Sequence, residues 1–299
     1  MIKNFDELIE KCRTNAYKRT VVIAAAQTET AIEAAVMAKE ESLAEILLTG
    51  DKEHIEKIIV ENFSKYINCF EIIDTGQDLS KACAVAVQMI HENRGSLILK
   101  GKTDTALLLK AVLDKEKGLS TGEIISDVFA YETPERIILL TDGGIMLYPD
   151  LKEKISLIKN AVKVAHSLGN PNPKVAMLAA VELVNPKMPC TLEAAMITKM
   201  NQRGQITGCV IDGPLALDNA IDFESAKIKG IDSPVAGQAD ILIMPNIEAA
   251  NIFAKGLTYY AKYRAAHVVM GTKAPILIAS RSDSAETKML CMAMGLIAS

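Results

Sequence analysis

The stretch SLILKGKTDTALLLKAV, residues 96–112, reads as a strand, a polar turn and a helix. An apolar run of strand length stops at Lys100-Gly101-Lys102-Thr103-Asp104-Thr105, and a leucine-rich helical segment follows at once. The same rhythm extends in both directions. TVVIAAA at 20–26, LAEILLTG at 43–50 and NCFEII at 68–73 read as strands before it. KVAMLAAV at 174–181, ITGCVID at 206–212, ADILIM at 239–244, and segments 267–271 and 275–279 read as strands after it. Strands apolar on both faces, separated by helical periods, predict an α/β protein with parallel sheet covered by helices on both faces. LKEKISLIKNAVKVAH at 151–166 puts Leu151, Ile155, Ile158, Val162 and Ala165 on one helical face with lysines elsewhere, the pattern of a surface helix.

At 299 residues the chain exceeds one ordinary domain of ~100–150 residues and suits two lobes with a cleft. The rhythm breaks in GEIISDVFAYETPERIILLTDGG, where two strand-like runs follow each other directly, as a crossing between lobes requires. The expected division is residues 1–143 with 275–299 as a first α/β domain and 144–274 as a second, inserted one. The segment after Ser280 is too short to stand alone, so it is expected to return to the first lobe.

Hydrophobic residues make up 49 % and charged residues 23 %, the balance of a packed soluble protein. Aromatics are 4 %, Trp is absent and the net charge is −4, which argues against a nucleic-acid partner needing stacking platforms or counterion release. Six scattered cysteines lack any C-x-x-C pair and read as reduced and buried. The opening MIKNFDELIEKC lacks the apolar run of a signal peptide, and no uncharged stretch approaches the ~20 residues that span a bilayer. A cytoplasmic protein without membrane contact is expected.

Several familiar sites are absent. Five residues separate Gly95 from Gly101, one more than a phosphate-binding P-loop has, and they read as strand. AAAQTET follows the first strand where a dinucleotide fingerprint would place G-x-G-x-x-G. His54, His91, His166 and His267 show no zinc-ligand spacing, so no metal is expected. What does gather at strand ends is small, polar and charged. Beside the turn at 100–105 stand Thr141-Asp142-Gly143-Gly144, Asp212-Gly213-Pro214, Met244-Pro245-Asn246 and Ser280-Arg281. Ligands of parallel α/β sheets sit beyond the carboxyl ends of strands, where helix N-termini favour anions. Five such turns point to a ligand bearing phosphate, although Ser280, Ser282 or Asp283 can also be read as a plain helix cap with a solvated Arg281.

Five blocks carry a resemblance: KGKTDTALLLKAVLDKEKGLSTG, LTDGGIMLYPDLKEKI, VELVNPKMPCTLEAAMITKMNQRGQITGCVIDGPLALDNAI, ADILIMPNIEAANIFAKGLTY and ASRSDSAETK. In order, and over almost the full chain, they resemble the phosphate butyryltransferases of the phosphate acetyl/butyryltransferase family. The resemblance implies two lobes like those of isocitrate and isopropylmalate dehydrogenases, an active site in the interdomain cleft, and a homodimer. It implies acyl-CoA plus phosphate giving acyl phosphate plus CoA, with coenzyme A as substrate and no bound cofactor or metal.

On that resemblance, Ser280 and Arg281 are the expected catalytic pair, Arg281 because a guanidinium binds phosphate with two parallel bonds and stays charged. Thr105, Lys102, Lys110, Asp142, Asn246 and Thr287 are expected at the phosphate and CoA. The base that takes the CoA thiol proton is left between Glu286 and Asp283, since the family's aspartate seven residues after the Ser is Thr287 here. Two further departures bear on specificity. Lys110 stands for a family arginine, and Met146 stands where an asparagine is common, so butyryl preference follows from overall similarity. The alternatives are a phosphate acetyltransferase, a branched-chain acyl variant, or, from another class, a catalytically weak CoA or acyl-phosphate binding protein.

Overall fold

A computed structural model describes residues 1–14 and 19–299. The chain forms two compact units, one of Phe5–Glu123 with Ala265–Ser299 and one of Met1–Asn4 with Ile124–Arg264. They are called the outer and the inserted unit below. The divisions fall at Ile124 and Arg264 where the sequence suggested 143 and 274, so both strands of the break near 122–150 lie in the inserted unit. The first four residues also lie there, with the Ile2 N–H donating to the Leu168 carbonyl at 2.8 Å.

The outer unit runs α1 (Phe5–Arg13), β1 (Thr20–Ala24), α2 (Glu29–Glu40), β2 (Glu45–Gly50), α3 (Lys52–Asn62), β3 (Glu71–Asp74), α4 (Leu79–His91), β4 (Leu97–Lys100) and α5 (Thr105–Val112). The inserted unit follows with β5 (Ser126–Glu132), β6 (Ile137–Thr141), α6 (Leu151–Ser167), β7 (Lys174–Leu178), α7 (Pro189–Gln202), β8 (Val210–Leu215), α8 (Leu217–Ile221), α9 (Phe223–Ile228), β9 (Ile241–Ile243) and α10 (Ile247–Tyr259). β10 (Ala265–Met270), β11 (Ile276–Leu277) and α11 (Ala285–Ala298) complete the outer unit.

Strand order in the outer unit is β3-β2-β1-β4-β11-β10, and in the inserted unit β5-β6-β9-β7-β8. Both sheets are mostly parallel, with one antiparallel pair each, β10 with β11 and β5 with β6. The expected parallel α/β sheet is found, with these two antiparallel pairs added to it. Each pair is joined by a few residues, Gly271–Pro275 and Thr133–Arg136, too few for the crossover that a parallel pair needs. Thr133 and Arg136 close the second link with an N–H to carbonyl bond of 2.9 Å.

In the outer sheet the chain winds from β1 to one side through β2 and β3, then returns to the other side of β1 with β4. That reversal is the topological switch point where open α/β sheets place their ligands. β11 then joins the far side of β4, in register Leu277 to Leu99. The carboxyl ends of β1, β4 and β11 are therefore neighbours.

α11 is buried over almost its whole circumference from Lys288 to Leu296, as a central helix with apolar residues all round should be. It packs on α1, α2 and β10. The face of α6 differs from the expected one. Lys154, Leu157, Ile158, Asn160, Ala161, Val162, Val164 and Ala165 are buried, whereas Leu151 and Ile155 are only half-buried. Lys154 is tolerated inside because it pairs with Glu193, and Asn160 because its amide donates to Ser126 Oγ at 2.8 Å and to the Ile124 carbonyl at 3.0 Å.

Candidate active site

At the switch point the backbones of the turns after β1 and β4 touch. The Gly101 N–H donates to the Ala24 carbonyl at 2.9 Å and the Lys102 N–H to the Ala25 carbonyl at 2.7 Å. A Cβ on Gly101 would lie 2.2 Å from the Ala25 carbonyl oxygen, so only glycine allows this approach. Ala25 itself adopts φ 57°, a left-handed conformation that non-glycine residues seldom take and that concentrates at functional sites.

The N-terminus of α5 follows. Its N-cap residue Asp104 makes no side-chain cap and instead pairs with Arg281. Caps normally satisfy one of the first N–H groups, so this helix keeps its N-terminal donors for another acceptor. Thr105 is its first residue, half-buried, and Lys102 is exposed just before it. Lys110 is not at this turn. It lies on the outer side of α5, lining a groove of about 670 Å³ together with Ala84, Gln88, His91 and Leu107.

After β11 the chain turns through Ser280–Ser284. Asp283 Oδ2 accepts the Ser280 N–H at 2.7 Å, and the Asp283 N–H returns to the Ser280 carbonyl at 3.2 Å. Ser280 Oγ and Ser282 Oγ are 3.1 Å apart. The cap of α11 is Ser284, whose Oγ accepts the Thr287 N–H at 3.1 Å and lies 3.1 Å from Thr287 Oγ1. Neither Ser280, Ser282 nor Asp283 caps this helix. Asp283 precedes the helix, one residue before its cap. Glu286 is in the first turn and exposed.

Two lysines absent from the expected site stand beneath this turn. Lys100, the last residue of β4, and Lys288, in the first turns of α11, are each 4 % exposed. Burial pushes the ammonium of Lys100 down from its ordinary range, and repulsion from Arg281 and Lys288 pushes it further, against the pull of Asp283. Burial likewise pushes Lys288 down, opposed by Asp283, Cys291 and Glu33. The signal was present in the sequence: SLILK ends an apolar strand on a lysine, and KMLCMAMGLIA begins an apolar helix on one.

In the inserted unit the turns after β6 and β9 are also adjacent, the Met244 N–H donating to the Thr141 carbonyl at 3.0 Å. Asn246 caps α10, its Oδ1 accepting the Ala249 N–H at 3.0 Å. Asn251 Nδ2 donates to the Gly143 carbonyl at 2.9 Å. Asp142 is buried, and its carboxyl accepts the N–H groups of Asp127 at 2.9 Å, Gly144 at 2.7 Å and Ile145 at 2.8 Å. Asp212-Gly213-Pro214, expected as a turn, lies inside β8, which runs past a register shift opposite Ala176 and Leu178 to Leu215.

Burial first and the neighbouring charge of Asp127 second push the Asp142 carboxyl up to about 6 from 3.8, against its three N–H donors. The folded protein therefore binds a proton that the unfolded chain releases between these values, and this part of the stability is lost as pH rises from about 4 to 6. Asp127→Asn is expected to lower the Asp142 midpoint and flatten that decline, as read by carbon NMR titration and by urea unfolding across the same window.

The cysteines take no visible part. Cys83 Sγ lies 3.6 Å from Thr103 Oγ1, close to the turn after β4, yet burial raises its thiol pKa, and burial pushes Cys12 to about 12 and Cys209 to about 11. Thiols held protonated are poor nucleophiles. No helix among the described residues is long and apolar enough to cross a membrane.

Residues 68–296 match the family described as phosphate acetyl/butaryl transferase. The chain belongs to that family. It is 45 % identical over 296 residues to a phosphate butyryltransferase of Clostridium acetobutylicum, covering 98 % of this chain and 97 % of that one. It is 42 % identical over 294 residues to a phosphate acetyltransferase of Thermotoga maritima, covering 98 % of each. Among solved structures, a branched-chain phosphotransacylase from Enterococcus faecalis superposes with a TM-score of 0.83 at 28 % identity, covering 94 % of this chain and 98 % of that one. The match spans both units, and the turns after β4, β6, β9 and β11 lie within it, whereas the turn after β1 precedes it.

Proposed function

We propose that the protein is a phosphate acyltransferase that interconverts acyl-CoA plus phosphate with acyl phosphate plus CoA, with butyryl as the preferred acyl group. The observation that carries this is the joining of Arg281 to the uncapped α5 N-terminus through Asp104, at the switch point of the outer sheet, in a chain of this family. A phosphate oxygen attacks the thioester carbonyl, a tetrahedral oxyanion forms, and the C–S bond breaks to release CoA. In reverse, the CoA thiol loses a proton and phosphate leaves. Both directions build negative charge where a guanidinium and N–H donors stabilise it.

Arg281 takes the phosphate and oxyanion charge, and Ser280 Oγ donates to the oxyanion or orients the thiol. Lys102, Thr105 and the N–H groups of α5 hold phosphate, with Lys110 available to the longer reach of CoA and Thr287 bracing the α11 cap. Within the inserted unit the candidates are Asn246, with its remaining amide donors, and Asp142, which shapes the adjacent turn. Of the two carboxylates, Asp283 already receives the Ser280 N–H and acts as the positioning group, which leaves Glu286 as the base for the thiol. Glu286→Gln is expected to cost roughly 10²-fold in kcat in the acyl-CoA-forming direction, where the thiol must lose its proton. A near-normal kcat in Glu286→Gln would transfer the role to Asp283.

The reading also takes the protein to be cytoplasmic, in keeping with cysteines that form no disulfide among the described residues, and a homodimer, for which light scattering is the direct check. The deciding experiment follows thiol release from butyryl-CoA with and without phosphate, repeated with acetyl-, propionyl- and isobutyryl-CoA. Phosphate-dependent release fastest with butyryl-CoA is expected. Release without phosphate would make it a thioesterase, and CoA binding without release would leave a binding protein.

A further inference from the structure

We propose that Lys100 and Lys288 form the buried floor of a phosphate subsite, where the two ammonium groups receive the phosphate group as the counter-charge the protein itself does not supply. The inference rests on the transferase reading only for the identity of the anion. Lys100 Nζ makes a single long hydrogen bond, 3.5 Å to the Thr103 carbonyl, and Lys288 Nζ donates to the Asp283 carbonyl. Among the described residues neither has a carboxylate within ion-pair distance, although both are nine-tenths buried or more. Asp283 and Glu33 act on Lys288 only from farther away, and Asp283 likewise on Lys100.

Buried ammonium groups normally pair with an acid, because leaving water without one is costly. Here two sit together, and a third cation, Arg281, adds to the positive potential at Lys100. Lys100 ends β4 and Lys288 stands in α11, just past the turn that follows β11, beside a helix N-terminus whose cap residue has turned away to Arg281. Such a cost persists in a fold when it is offset by a ligand. A doubly charged phosphate matches the place, since it meets both ammonium groups and the open N–H groups of α5 together. The shared chemistry is a phosphate group, either inorganic phosphate or one of those on CoA, and the former fits a floor set beneath Arg281.

The test compares wild type with Lys100→Met and Lys288→Met by thermal unfolding, adding inorganic phosphate or CoA. Each variant is expected to melt higher than wild type without ligand, because an unpaired buried charge is replaced by an apolar chain of similar length. Each is expected to lose the rise in Tm that phosphate gives the wild type while keeping the rise that CoA gives. The KM for phosphate should increase at least about tenfold, with that for butyryl-CoA nearly unchanged. A phosphate-induced rise retained in both variants overturns the proposal, and loss of the CoA effect alone would assign the pair to the nucleotide's phosphates and overturn it equally. Should a variant fail to fold, peptide mass mapping of cyanate labelling on the wild type decides: phosphate must protect Lys100 and Lys288, and equal labelling with and without phosphate overturns the assignment. Phosphate binding needs no turnover. A wild type stabilised by phosphate that releases no thiol would therefore sink the transferase reading and leave this one standing.

Discussion

Arg281→Ala is expected to lower kcat/KM by a factor on the order of 10²–10³, the range seen when one preorganised stabiliser of developing charge is removed. Its contribution to stability should be small. The Arg281–Asp104 pair is exposed, at 70 % and 69 % for the two side chains, and exposed pairs contribute about 0–1 kcal/mol. Arg281→Ala should therefore unfold in urea at nearly the wild-type midpoint while losing most of its turnover. Arg281→Lys keeps the charge and loses the two-pronged geometry, so an intermediate loss is expected. Removal of Asp104 separates pairing from catalysis: Asp104→Asn frees Arg281 and should leave far more activity than Arg281→Ala. Near-normal turnover in Arg281→Ala would refute the role given to this turn.

The second large effect is on the scaffold beneath it. A methyl group at Gly101 would lie 2.2 Å from the Ala25 carbonyl oxygen and 2.8 Å from that of Ala24, both backbone atoms that cannot swing aside. Overpacking of this kind costs typically 1–3 kcal/mol, and relief requires the turns after β1 and β4 to separate. Gly101→Ala is expected to lower the unfolding free energy by that amount, read as a lower urea midpoint, and to reduce activity as well, because Lys100, Lys102 and Thr105 move with the turn. An unchanged midpoint would mean that the two backbones do not approach as described.

The strand-helix alternation was legible because the strands are short apolar runs, several of them ended by Gly, Asp or a hydroxyl, and SLILK before GKTDT is a clear instance. β10 and β5 read as strands too, but their antiparallel pairing depends on how many residues join them to their neighbours. The Asp212-Gly213-Pro214 turn was misread because Gly and Pro usually end strands, whereas here they continue one across a register shift. At the site, Ser280-Arg281 was visible as a motif, yet the start of α11 was not. Four candidate caps stand within five residues, Ser280, Ser282, Asp283 and Ser284, and only the backbone path selects Ser284. Lys100 and Lys288 were overlooked for a physical reason: a lysine at the edge of an apolar run ordinarily extends its ammonium to water. Whether it can do so is decided by neighbours distant in the chain.

The division of the outer unit between Phe5–Glu123 and Ala265–Ser299 bears on how the protein is made. A ribosome delivers the inserted unit whole before β10, β11 and α11 exist outside the exit tunnel, while the first half of the outer sheet waits with one side of β4 unpaired. Arg281 and Lys288 are translated after the inserted unit, into a core that closes around them. A chain cut after residue 264 would thus carry one finished unit and one open sheet edge, the kind of surface that chaperones bind, and the turn bearing Arg281 would take its place only once β11 and α11 are made.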